Sequence, residues 1–95
     1  MEQIEFKVKG GRDIAFVGEE VAYEHDQDQD VAYRIYVTEK GNWFFAATSN
    51  EGFLLHQNVF NNKSTEELVA FFGYSDIAKS LYQQLGVDTT QRLDI

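Results

Sequence analysis

The sequence predicts an α+β domain: an antiparallel β-meander of about five strands over residues 1–61, followed by a helical tail over 62–95 with two helices packed on one face. Three observations predict it. Apolar residues alternate with period two through the first half. Glycine-containing turns punctuate that alternation. After Lys63 the spacing changes to that of amphipathic helices, and strands followed by helices make an α+β fold.

The first strand is carried by "IEFKVK", with Ile4, Phe6 and Val8 on one face. Beyond Gly10-Gly11-Arg12 the same parity continues in Ile14 and Phe16. A three-residue connection then pairs Val8 with Ile14 and Phe6 with Phe16, because register follows the face that is buried. At Gly18 the parity slips to Val21 and Tyr23, which predicts a bulge or bend at the glycine. Odd parity persists through Val31, Tyr33, Ile35 and Val37. Pairing Tyr23 with Tyr33 and Val21 with Ile35 places "EHDQDQD" (24–30) at a hairpin tip. Next, Glu39-Lys40-Gly41 suits a type I turn with a left-handed glycine. That turn sets Val37 against Trp43, Ile35 against Phe45 and Tyr33 against Ala47, with Tyr36 meeting Phe44 on the reverse face. Both faces of this hairpin are therefore partly apolar, which calls for a place at the centre of the sheet, or for helix on one face and a partner on the other.

"SNEG" (49–52) turns the chain into a last strand, "FLLHQNVF". Ser64 and Glu67 have the spacing of a capping box, and Leu68, Val69, Phe71 and Phe72 predict a short buried helix ending at Gly73. Ser75 caps a second helix whose stripe is Ile77, Ala78, Leu81, Tyr82 and Leu85; Lys79, Ser80, Gln83 and Gln84 face water, and Gly86 ends it. Asp88 and Gln91 are placed to cap one last turn. With 95 residues, no repeat and no linker, the chain reads as a single domain over 1–95.

Composition narrows the function. There is no cysteine, which removes disulfides, thiolate metal sites and a cysteine nucleophile. The start, "MEQIEFKVKG", has no long apolar run, so neither a signal peptide nor a membrane anchor is expected and the location expected is cytoplasmic. The net charge of −8 argues against direct nucleic-acid binding, which draws its affinity from Lys and Arg. Between Arg12 and Arg34 there are seven acidic residues and no lysine or arginine.

Asp26, Asp28 and Asp30 carry the spacing of the first three ligands of an EF-hand loop, but Val31 and Val37 occupy its glycine and bidentate-glutamate positions. His25 and His56 lie on different expected elements. No metal and no cofactor are therefore predicted. The chain also lacks a nucleophile elbow, a P-loop and a dinucleotide fingerprint, so no catalytic residue is named and a non-enzyme is expected.

Three stretches, "FVGEEVA" (16–22), "YVTEKGNWFF" (36–45) and "FFGYSDIAKSLYQQLGVD" (71–88), carry a resemblance. In their order they resemble a group of small uncharacterised bacterial proteins, with an "F-x-G-x-E/L-x-A" strand, a "Y-x-T-x-x-G-x-Y" hairpin and a helical tail. The resemblance implies a shared small α+β fold and carries no activity and no functional residue.

The functional expectation is an acidic, non-enzymatic protein-interaction or regulatory module, with a homodimer as one cover for the second apolar face. Its candidate interaction residues are Glu24, Asp26, Asp28, Asp30, Tyr36, Trp43 and Phe44. Tyrosine and tryptophan are residue types that anchor interfaces. The alternative is an acidic inhibitor that mimics nucleic acid through Glu19–Asp30 and occupies a basic groove of a DNA- or RNA-handling protein.

Overall fold

A computed structural model describes residues 1–95. Five strands form one antiparallel sheet in sequence order: β1 (Glu2–Phe6), β2 (Ile14–Asp26), β3 (Val31–Thr38), β4 (Trp43–Ser49) and β5 (Leu54–Phe60). A 3₁₀ turn at Asn61–Lys63 leads into α1 (Thr65–Phe72) and α2 (Asp76–Leu85). The expected meander with two C-terminal helices is thus the observed architecture. No helix is long and apolar enough to cross a membrane.

The alternation of the central strands produces two cores. On one face Ala22, Ile35, Trp43, Phe45, Ala47 and Phe60 pack under Leu68, Ala78, Leu81 and Tyr82 of the helices. On the reverse face Phe6, Tyr36, Phe44 and Ala46 form a second cluster with Ile4, Phe16 and Leu54 around them. That face needs no external cover. The sheet rolls until its two edges meet, with a bridge between Lys7 and Phe53 and a 2.9 Å hydrogen bond from the Leu54 N–H to the Lys7 carbonyl. Rolling brings rings from non-adjacent strands together: Phe16 and Phe44 centroids lie 4.7 Å apart, and Phe6 and Tyr36 meet edge-on at 5.7 Å. Such pairs add about 0.5–1.5 kcal/mol each beyond their area burial.

Two registers differ from expectation. β1 pairs Phe6 with Ile14 and Ile4 with Phe16, two residues earlier than the short connection required. Two contacts set it: the Asp13 carboxylate accepts from the Val8 N–H at 3.0 Å, and Lys7 has left β2 for the distant Phe53. Parity survives because the offset is even. In the second case β2 pairs Ala22 with Ile35 and Glu24 with Tyr33, a shift of one residue. The irregularity falls between Glu20 and Ala22, so Val21 is the extra residue and Gly18 is not the bulge. Ala22 thereby faces the helical core, where its small side chain lets α2 approach, and Tyr23 turns outward against the Arg34 guanidinium at 4.9 Å.

Gly18 has another purpose. A Cβ built there would stand 2.7 Å from the Val37 carbonyl oxygen, so β2 and β3 approach closely where the sheet rolls. The β3–β4 register is the one the sequence predicts: Val37 with Trp43, Tyr36 with Phe44, Ile35 with Phe45 and Tyr33 with Ala47.

Both helices start on serine caps. The Ser64 and Ser75 hydroxyls accept from the Glu67 and Ala78 N–H groups at 3.3 and 3.1 Å. α1 is less buried than its composition predicts: Leu68 alone is fully buried, and Phe71 is 40% exposed. α2 carries the expected apolar stripe, but its polar face is only partly in water. The Gln84 side-chain amide takes both backbone groups of Tyr23, accepting from its N–H at 2.9 Å and donating to its carbonyl at 3.0 Å. One turn earlier the Ser80 hydroxyl donates to the Glu24 carboxylate. β1 pairs with β2 only as far as Gly18, so the second half of β2 is a sheet edge, and α2 closes it. The last residues form no helical turn. Asp88 instead accepts from the Thr90 N–H at 2.9 Å and pairs with Arg92 at 3.0 Å, which lowers its pKa, the Thr90 amide being the larger cause.

Candidate functional site

Polar residues four apart on α2 lie along β2 and set its tip. Gln84 engages Tyr23, Ser80 engages Glu24, and Asp76, a further turn toward the helix N-terminus, borders the same cleft as Asp26 and Asp28. The β2–β3 turn is ordered by its own aspartate. Asp26 Oδ1 accepts from the N–H groups of Asp28 and Gln29 at 3.0 and 3.4 Å, an Asx turn. Asp30 has a left-handed backbone, φ 53°, a conformation that aspartate tolerates better than most residues. Its carboxylate meets the His25 ring at 3.0 Å.

The turn overhangs a cleft of about 730 Å³ between the sheet and the α1–α2 junction. Its apolar walls are Tyr33, Phe45, Phe71, Phe72, Ile77 and Leu81. Phe71 is central to them: it meets Phe45 and Phe60 edge-on at 5.6 Å each and stacks on the His56 ring at 5.9 Å. The polar lining comprises Asp26, Asp28 and Asp76 with His56 and Ser75, and it includes no lysine or arginine. The α2 N-terminus opposes these three carboxylates with the equivalent of about half a positive charge, so the cleft stays negative. Aromatic side chains and carboxylates lining one cleft suit an organic cation, which gains from both the ring quadrupole and the charge.

The seven candidate interaction residues divide three ways. Asp26 and Asp28 border the cleft. Glu24 and Asp30 are engaged within the chain, by Ser80 and His25. Tyr36, Trp43 and Phe44 are 5–6% exposed and belong to the cores; as surface anchors they are corrected to packing residues. Burial also raises the Tyr36 pKa, with the Glu20 carboxylate adding to it and Arg34 opposing. Sequence reasoning passed over Asp76 and Phe71 as site residues and weighed His56 without placing it in the site. The available signal was the excess of rings in "LVAFF", more than one face of an eight-residue helix can bury.

His25 and His56 do not converge, and no three of the histidines and carboxylates form a group able to hold a metal ion. Comparison with protein-family models, with curated proteins and with solved structures finds no match.

Proposed function

We propose that the protein is a non-enzymatic interaction module that receives a basic segment of a partner protein at the cleft beneath the β2–β3 turn. The observation that carries this reading is the lining itself: three carboxylates beside aromatic side chains, with no lysine or arginine among them. A partner's arginine or lysine would lay its stem on Phe71 and Tyr33 and bring its head group to Asp28 and Asp76. Asp28 suits the role because its carboxylate has no partner within the chain, whereas Asp26 is occupied in shaping the turn.

The nucleic-acid-mimic alternative asks for a row of unpaired carboxylates along Glu19–Asp30. Glu20 is paired with Arg34 at 3.0 Å, and Glu24 and Asp30 are also engaged, which favours the cleft reading.

The test is a titration of a fluorescent oligo-arginine peptide followed by anisotropy. Saturable binding is expected, weakened about tenfold by Asp28→Asn and again by Asp76→Asn, as for loss of a charge-assisted contact. Equal weakening by Glu19→Gln, far from the cleft, would mean diffuse attraction to an acidic surface and would sink the reading.

A further inference from the structure

The chain holds a basic segment of its own. Of its eight lysines and arginines, Lys7, Lys9 and Arg12 fall together in the β1–β2 connection, in a chain of net charge −8. All three are exposed. None has a carboxylate partner, whereas Arg34 and Arg92 are paired with Glu20 and Asp88. Asp13, next in sequence to Arg12, is engaged instead by the Val8 N–H at 3.0 Å. Lys9 rests over the Phe53 ring at 5.6 Å, and the Lys7 backbone is bridged to Phe53. Arg12 has neither tie.

This loop is kept from the cleft of its own molecule. It follows β1, whose Phe6 packs on the reverse face, and it is fastened at Lys7 by the Leu54 N–H. The cleft opens on the helical face, beside Phe45 and Leu81, and no residue of the loop lines it.

We propose, on the cleft reading above, that the basic segment received there is the β1–β2 loop of a second copy, with Arg12 entering the cleft. Charge selects this occupant. An unpaired cationic loop and a cleft lined by Asp26, Asp28 and Asp76 without lysine or arginine are complementary, and both belong to this chain. Arg12 suits the aromatic lining better than a lysine, because a guanidinium is planar, weakly hydrated and stacks on rings. Gly10 and Gly11 leave the loop before it free of side chains that would obstruct entry. Loop and cleft are different surfaces, so the contact is heterologous: a copy that fills its neighbour's cleft keeps its own cleft open. At physiological ionic strength the Debye length is about 8 Å, so the net charges of two acidic copies are screened over most of the molecule while the touching groups are not.

Sedimentation over a concentration series tests this. The unmodified protein should self-associate, and Arg12→Ala and Asp28→Asn should each raise the dissociation constant about tenfold, as for loss of a charge-assisted contact. Arg12→Lys should fall between, since it keeps the charge and loses the planar stack. Arg12→Ala mixed with the double variant Asp28→Asn, Asp76→Asn leaves one intact cleft and one intact loop. At a concentration where the unmodified protein is associated, each variant alone should be monomeric, and the mixture should form a pair of one copy each and stop there. An unmodified protein that stays monomeric up to about 1 mM overturns the proposal. So does a mixture that forms no pair, or Lys40→Ala, an exposed lysine of the β3–β4 turn, weakening association as much as Arg12→Ala. Oligo-arginine binding separates this proposal from the cleft reading. A protein that binds the peptide but does not self-associate ends the proposal alone, and one that does neither ends both.

Discussion

Replacing Gln84 by alanine removes two hydrogen bonds that hold the free half of β2 against α2. A typical protein hydrogen bond contributes about 1 kcal/mol net. Tyr23 is 42% exposed, so water partly replaces what is lost, and alanine returns a few tenths as the better helix former. The expected cost is about 1.5 kcal/mol, a fall of about 6–12 °C in melting temperature for a domain of this size. Chemical denaturation and thermal melting by circular dichroism measure it. Gln84→Glu separates this contact from a generic helix effect. The introduced carboxylate still accepts from the Tyr23 N–H but cannot donate to its carbonyl, and it would lie about where the amide nitrogen now stands, 3.4 Å from Glu24 Oε1. It should cost more than alanine at neutral pH. Repulsion raises the carboxyl pKa in the folded state, so stability is regained as pH falls and lost as pH rises through that pKa. Gln84→Ala within about 0.3 kcal/mol of the parent, or Gln84→Glu no worse than alanine at pH 7, would refute the account.

Other expectations follow from packing and burial. Gly18→Ala places a methyl against the Val37 carbonyl at 2.7 Å and should destabilise by about 1–3 kcal/mol in urea unfolding. Tyr36 and Tyr82 have pKa values raised above 10.0, chiefly by burial. Unfolded tyrosine ionises first, so stability should be intact below pH 10 and fall above it by up to about 1.4 kcal/mol per pH unit per tyrosine; Tyr36→Phe should lessen that slope. Trp43, the single tryptophan and 6% exposed, should emit in the blue and resist acrylamide quenching, and Trp43→Ala should cost about 3–5 kcal/mol.

Legibility in the sequence followed how local each determinant was. The β3–β4 register was readable because Lys40-Gly41 defines the turn and both faces alternate without interruption. The helix starts were readable because Ser64 and Ser75 act within one turn. The β1–β2 register was not, since it depends on Lys7 reaching Phe53, a contact made only once the sheet has rolled. The β2–β3 slip was misplaced because parity reveals that a residue is extra without saying which one, and Gly18 drew the inference from Val21. At the cleft, Asp26 and Asp28 were visible as a turn, but its aromatic wall was hidden by treating every ring of α1 as buried. Ser80 and Gln84 were assigned to solvent because helical periodicity identifies a polar face and not a strand edge that a polar face can close.

The length of β2 bears on how the molecule comes apart. Its thirteen residues place Phe16 in one core and Ala22 in the other, and β3 and β4 contribute alternate residues to both. Neither core can melt while the other keeps its strands. Heat and denaturant should therefore register a single cooperative transition, with Trp43 fluorescence on the helical side and tyrosine absorbance at Tyr36 on the other moving together.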